Sequence, residues 1–279
     1  MLERPYNLLA GFLDLNNSQS PISTDEFCPQ CASPSAPHLA VAGFNRCRSC
    51  SLIFRVQISS PANLDELYEQ SWAHPESNRS ETGGTESGHS QIYARLLAKS
   101  IGVNDFSGLT LCDFGAGRGS MTQALADLGA NVLAVEPYGY EFLISKNIKT
   151  YRTLADIPEQ IRFDGIVSVS VMEHLQKPWQ ELEHLRAKLK SGGWVYLATP
   201  NAAGFAARIA RNKWREALRP GHLVLLTPET MTRSLSRAGF TNFKRLKWYV
   251  AYRTGARKVL GYALQFTGYE GELRYLAFN

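Results

Sequence analysis

The stretch Leu111-Cys112-Asp113-Phe114-Gly115-Ala116-Gly117-Arg118-Gly119-Ser120 constrains the fold more than any other part of this 279-residue chain. It sets three glycines where an apolar strand must turn sharply into a helix. Glycines there let the backbone approach a ligand closely, and a strand end that leads into a helix N-terminus is where open α/β sheets bind nucleotides. A dinucleotide turn needs G-x-G-x-x-G, with a pyrophosphate resting on the helix. Here the glycines fall as G-x-G-x-G behind Asp113. That carboxylate repels a pyrophosphate and suits a cationic ligand, which disfavours a nicotinamide dehydrogenase.

Apolar strands alternate with helical stretches around this turn. Strands are predicted at 109–114, 131–135, 149–151, 165–171, 194–198, 243–249 and 273–278, and helices at 121–128, 140–145, 179–189 and 228–238. An amphipathic helix at 91–101, with Ile92, Leu96 and Leu97 on one face, precedes them. Near-continuous apolar strands separated by helices imply a parallel sheet covered on both faces. The last two strands have no helix between them and are expected to close the sheet as an antiparallel pair. The fold class is therefore α/β: a seven-stranded Rossmann-like sheet with helices on both faces, plus a small N-terminal knuckle.

The second strand ends as Val132-Leu133-Ala134-Val135-Glu136-Pro137, an acid 23 positions after Asp113, suited to accept two ribose hydroxyls. With Phe163-Asp164-Gly165-Ile166-Val167, Val171-Met172-Glu173-His174-Leu175 and Ser191-Gly192-Gly193-Trp194-Val195 through Thr199-Pro200-Asn201, the series resembles class I S-adenosylmethionine-dependent methyltransferases. It is most similar to the branch with ubiquinone-biosynthesis O-methyltransferases, where Glu-His follows the fourth strand. The resemblance covers residues 91–279. It implies S-adenosylmethionine as cofactor, with Asp113, Phe114, Gly115, Ala116 and Gly117 at its methionine end, Glu136 and Pro137 at the ribose, and Ser168 and Val169 beneath it. The family often carries an acid for the adenine amino group after the third strand. Thr153 stands there in this chain, and Asp156 follows three residues later.

Four of the five cysteines form a second motif. Cys28-Pro29-Gln30-Cys31 and Cys47-Arg48-Ser49-Cys50 give C-x2-C-x15-C-x2-C, the spacing of a closed four-thiolate structural zinc site. The fifth, Cys112, lies in an apolar strand and reads as a core thiol. The expected organisation is an N-terminal segment at 1–58 with the zinc module, a Ser/Glu/Gly-rich linker or lid at 59–90 with a short helix at 63–70, and the methyltransferase domain at 91–279.

Charge is uneven. Residues 201–260 hold thirteen Lys and Arg against Glu216 and Glu229, net +11 in a chain of net +5. This is either a solvated basic face or a match to an anionic partner. No run of 18 or more apolar residues suggests a membrane span. The first residues lack the pattern of a secretory signal, so a cytoplasmic protein is expected.

Methyl transfer needs a base only where the acceptor must lose a proton. His174, after the fourth strand, and His222, after the basic loop at 201–219, are the candidates; for His174 the bland alternative is that Glu173 and His174 cap the following loop structurally. Tyr68, Trp72, Trp179 and Trp214 are either a substrate wall or core. The leading expectation is methylation of an anionic or hydroxylated small molecule, such as a sugar, nucleotide sugar or secondary metabolite. RNA methylation through the zinc module and basic face ranks lower, since only Phe27, Phe44 and Phe54 could stack bases there. A non-catalytic docking module is disfavoured by the intact glycine turn. The oligomeric state is open.

Overall fold

The computed structural model describes residues 27–56, 66, 68–69, 86–248, 263–264 and 266–279. Three short strands open it: β1 (Ser35–Pro37), β2 (Phe44–Cys47) and β3 (Ile53–Arg55). There follow α1 (Glu86–Ile101), β4 (Thr110–Phe114), α2 (Ser120–Asp127), β5 (Asn131–Val135), α3 (Tyr140–Ser145) and β6 (Thr150–Tyr151). The chain continues through β7 (Phe163–Val169), a 3-10 turn at Met172–His174, α4 (Pro178–Ala187) and β8 (Leu189–Pro200). After α5 (Phe205–Ala210), a second 3-10 turn (Arg211–Lys213) and α6 (Arg215–Leu218) come β9 (Val224–Leu225), α7 (Pro228–Arg237), β10 (Asn242–Arg245) and β11 (Glu272–Phe278).

Seven strands form one sheet in the order β10-β11-β8-β7-β4-β5-β6, and a four-stranded sheet runs β1-β2-β3-β9. Strand β4 is parallel to β5 and β5 to β6, whereas β11 runs antiparallel to both β8 and β10. The expected α/β class with an antiparallel closing strand is what the chain adopts. No helix among the described residues is long and apolar enough to cross a membrane.

The described residues fall into two compact units, one ending at Phe163 and the other joining residues 27–56 to Asp164 and beyond. In the first, α1 packs on α2. The helix begins at Glu86, earlier than predicted, and buries Tyr93, Ala94, Leu97 and Ala98, while Ile92 is 43% exposed. The predicted face is thus displaced: two alanines let the helix approach closely, which bulk-based periodicity does not register. Only Glu66, Tyr68 and Glu69 of the rest of 59–90 are described, so the predicted lid and most of the 63–70 helix lie outside the described residues.

In the second unit, β8 begins at Leu189 rather than 194, because Gly192 (φ +74°) is accommodated within the strand instead of ending it. Strand β7 stops at Val169, short of the predicted 171, where Ser170 enters the left-handed region at φ +56°. The basic loop at 201–219 is helical, and its inner residues Ala207, Trp214 and Ala217 share an apolar cluster with Val41, Phe44, Ile53 and Leu225. The cysteine hairpins are therefore built onto this unit through β3–β9 pairing and a common core.

Candidate functional site

The glycine turn lies in the first unit. Gly115, Gly117 and Gly119 all have positive φ (+76°, +53° and +80°), and Gly119 caps α2. A Cβ on Gly119 would come within 2.9 Å of the terminal methyls of Ile148 and Leu143, which would have to shift to admit it. A Cβ on Gly117 would meet nothing within 4 Å. That position faces open space, as a ligand approach requires.

The amides of the turn are already engaged. Gly115 N and Ala116 N donate to Val135 O (2.8 and 3.1 Å), and Gly117 N donates to Glu136 Oε2 (2.8 Å). Glu136 Oε1 accepts from Tyr138 N and Gly139 N (3.0 and 3.1 Å). Burial raises the Glu136 carboxyl, and the three amide donors oppose that shift. Glu136 thus ties the turn to the start of α3, with further lone pairs on its carboxylate for a ligand. Asp113 is buried beside Thr122, whose Oγ1 donates to Oδ2 at 2.6 Å. Burial pushes its carboxyl up to about 6, with a smaller contribution from Glu136, so a nearby cation would be welcomed.

Of the remaining sequence candidates in this unit, Phe114 and Pro137 are buried. Asp156 is three residues late in sequence but adjacent to Thr153 in space: its Oδ2 accepts from Thr153 N and Oγ1 (2.8 and 2.9 Å). Sequence alignment alone missed this, because a local side-chain turn brings the two positions together. Tyr68 stacks on Tyr138 with ring centroids 4.8 Å apart.

The second unit carries the histidines. Ser168 is fully buried and its Oγ has no hydrogen-bond partner among the described residues, and Val169 is half-buried. After the strained Ser170, the 3-10 turn presents Glu173 and His174. His174 Nδ1 lies 2.9 Å from Gly221 O, and since a carbonyl only accepts, the proton sits on Nδ1 and the neutral ring's lone pair on Nε2. The His222 ring stands edge-on to His174, with centroids 4.8 Å apart.

Burial lowers both histidines: His174 to about 4, and His222 further, aided by His174, Arg219 and Arg55. Both rings are therefore neutral at neutral pH. Glu173 is pushed the other way, up to about 8, by burial, against the Thr199 Oγ1 hydrogen bond to its Oε2 (2.8 Å). Sequence reading singled out the histidines but gave Glu173 only a capping role and missed Thr199. Of the aromatics considered as a wall, Trp179 lies under Arg237 (3.6 Å) and Trp214 belongs to the cluster shared with the cysteine module, while Trp72 is outside the described residues.

The four cysteines come together as predicted, with one sulfur from each within 4.8 Å of the others. Cys28 Sγ is 3.6 Å from Cys50 Sγ, and Cys31 Sγ is 3.5 Å from Cys47 Sγ. A tetrahedron with Zn–S bonds of about 2.3 Å spaces its sulfurs about 3.8 Å apart, so the set fits. Ser49 N and Cys50 N both donate to Cys47 Sγ (3.3 Å each), as suits a sulfur carrying negative charge. The hydrogen bond with Cys28 holds the Cys50 thiol below its ordinary value.

A mixed seven-stranded sheet, a glycine turn behind a buried acid and an acid closing the next strand define an S-adenosylmethionine-dependent methyltransferase. The chain matches the model of a methyltransferase domain family over residues 87–244 and belongs to that family. Its similarity to a ubiquinone biosynthesis O-methyltransferase of Caulobacter vibrioides is 30% identity over 164 residues, 48% of this chain and 63% of that protein. To the mitochondrial ubiquinone biosynthesis O-methyltransferase of Candida albicans it is 34% over 113 residues, 36% and 34% of the two. The chain thus spans less than two thirds of these relatives.

Among solved structures, a Thermotoga maritima methyltransferase described as a possible histamine N-methyltransferase superposes with TM-score 0.54 at 16% identity, covering 77% of this chain and 99% of that one. The Burkholderia thailandensis 1,6-didemethyltoxoflavin N1-methyltransferase, solved with S-adenosylhomocysteine, superposes with TM-score 0.51 at 13% identity, covering 87% and 98%. At these identities the likeness is one of fold.

Proposed function

We propose that this chain methylates a hydroxyl group of a small molecule, with the pair of half-buried His174 and buried His222 receiving the hydroxyl proton. The observation that carries this reading is the pair itself: two neutral imidazoles, one with its tautomer fixed by Gly221 O so that Nε2 is the acceptor. The O-methyltransferase names of the curated relatives favour oxygen as the acceptor atom. A phenolic, sugar or nucleotide-sugar hydroxyl all suit this chemistry.

Bound S-adenosylmethionine supplies an electrophilic methyl group on a sulfonium. In this reading Asp113 attracts the cationic end, bare Gly117 admits the ligand against the backbone, Glu136 accepts from ribose hydroxyls and Asp156 beside Thr153 accepts from the adenine amino group. His174 Nε2 or His222 takes the acceptor proton as the new O–C bond forms, and Ser168 and Val169 line the floor. The four cysteines, Cys28, Cys31, Cys47 and Cys50, hold a structural zinc ion, supported by their sulfur spacing.

The test is a panel of hydroxylated acceptors incubated with S-adenosylmethionine and read by mass spectrometry for added methyl groups. With an accepted substrate, His174→Gln and His222→Gln are assayed beside calorimetry of S-adenosylhomocysteine. The reading requires at least one variant to lose about a hundredfold or more in turnover, the scale of general-base catalysis, with cofactor affinity intact. Full turnover in both would remove the histidines from the chemistry. Metal analysis of the purified chain should give one zinc.

A further inference from the structure

One side chain of the cysteine module reaches the turn that carries His222. Arg55, at the end of β3, donates from Nε to His222 O (3.1 Å) and from Nη2 to both Ala217 O and Arg219 O (2.9 Å each). Its guanidinium lies over the Phe44 ring at 4.6 Å, and its backbone N donates to Leu223 O at 2.8 Å. Three carbonyls of residues 217–222 thus converge on one half-buried cation, a planar fork that a lysine cannot reproduce.

The same turn is held from its other side. Leu223 N donates to Glu173 O (2.8 Å), and Gly221 O is the acceptor that fixes the His174 tautomer. Beyond the turn, β9 pairs with β3 in the register Ile53↔Leu225 and Phe54↔Val224. The hairpin that presents Arg55 is closed by the second cysteine knuckle, where Cys47 N donates to Leu52 O at 2.8 Å. Hydrogen bonds and short stretches of backbone thus connect the cysteine hairpin through β3 and Arg55 to the 217–222 turn, whose Gly221 O reaches the His174 ring.

We propose that Arg55 is a positioning residue that clamps the 217–222 turn to the cysteine module, so that the four-cysteine site sets the His174 tautomer and the placement of His222. This rests on the reading of the two histidines as the proton acceptors. The module then acts on the acceptor chemistry and leaves the glycine turn untouched.

The test uses the full chain with Arg55→Ala and Arg55→Lys, and the wild type before and after metal removal by a chelator. Three readouts are taken: hydrogen exchange of peptides spanning 217–225, imidazole 15N shifts of His174, which report the tautomer, and calorimetry of S-adenosylhomocysteine. Arg55→Ala and metal removal should each speed exchange at 217–225 by about tenfold or more and move His174 towards a mixture of tautomers, with cofactor affinity within twofold. Arg55→Lys should restore part of the protection. Unchanged exchange and tautomer in Arg55→Ala would overturn the clamp. Metal removal that opens 28–50 while 217–225 stays protected would overturn the link to the cysteines. Should Arg55→Ala not fold, Arg55→Lys and the chelated wild type decide by the same two readouts. A wild type that ignores S-adenosylhomocysteine would sink the functional reading alone, because exchange and tautomer are read without cofactor.

Discussion

Replacing Glu173 by Gln should change how stability depends on pH. Glu173 is buried, with Thr199 Oγ1 on Oε2 and no partner for Oε1 among the described residues. Burial raises its carboxyl from 4.5 to about 8, so the folded protein holds a proton there that the unfolded chain releases near 4.5. A raised carboxyl contributes stability that is full below 4.5 and is lost as pH rises through about 8. At about 1.4 kcal/mol per pH unit over that window, the loss totals roughly 5 kcal/mol, of which roughly 2 kcal/mol falls between pH 6 and pH 8. Gln keeps the acceptor for Thr199 and cannot titrate. Its extra amide protons impose a cost that is the same at every pH, so the slope is the diagnostic quantity and the absolute level is not. Urea unfolding of both proteins at pH 6 and pH 8 measures it. The stability advantage of the wild type over Glu173→Gln should shrink by about 2 kcal/mol between the two. Parallel pH dependences would refute a buried, protonated Glu173.

Gly117→Ala and Gly119→Ala separate ligand space from packing. The first places a methyl in open space at φ +53° and should cost about 1–2 kcal/mol in stability while weakening S-adenosylhomocysteine at least tenfold by calorimetry; unchanged affinity would move the cofactor elsewhere. The second drives a Cβ to 2.9 Å from Ile148 and Leu143 and should lose more stability than the first in the same urea titration. Trp214→Ala empties the cluster shared by the 201–219 segment and the cysteine hairpins and should destabilise by about 3–5 kcal/mol, read as a lower urea midpoint.

The β/α core was legible because its signals are local. A five-residue apolar strand such as β5 and a helix such as α3 match their predicted bounds, since burial on both faces dictates continuous apolar runs. The cysteine set was legible because its two C-x2-C pairs have the spacing at which sulfurs are brought together locally. Segment 201–219 was not: Phe205 and Ile209, four apart on one helix, face solvent at 45% and 70% exposure, while the small Ala207 is buried. A hydrophobicity pattern assigns that helix the wrong face, and strands of two to four residues such as β1 and β9 are too short to show alternation.

The sequence by itself determined the sheet, the turn with its two acids and the four sulfurs, all set by residues close together along the chain. Only the tertiary structure decided that Arg55 meets the His222 turn, 162 to 167 residues away in sequence, and that Gly221 O orients His174 from 47 residues away. The physical reason is that hydrogen bonds from a side chain to backbone carbonyls leave no mark on the acceptor's identity. Any residue at 217, 219 or 221 supplies the same oxygen, so the pairing exists only once the chain has folded.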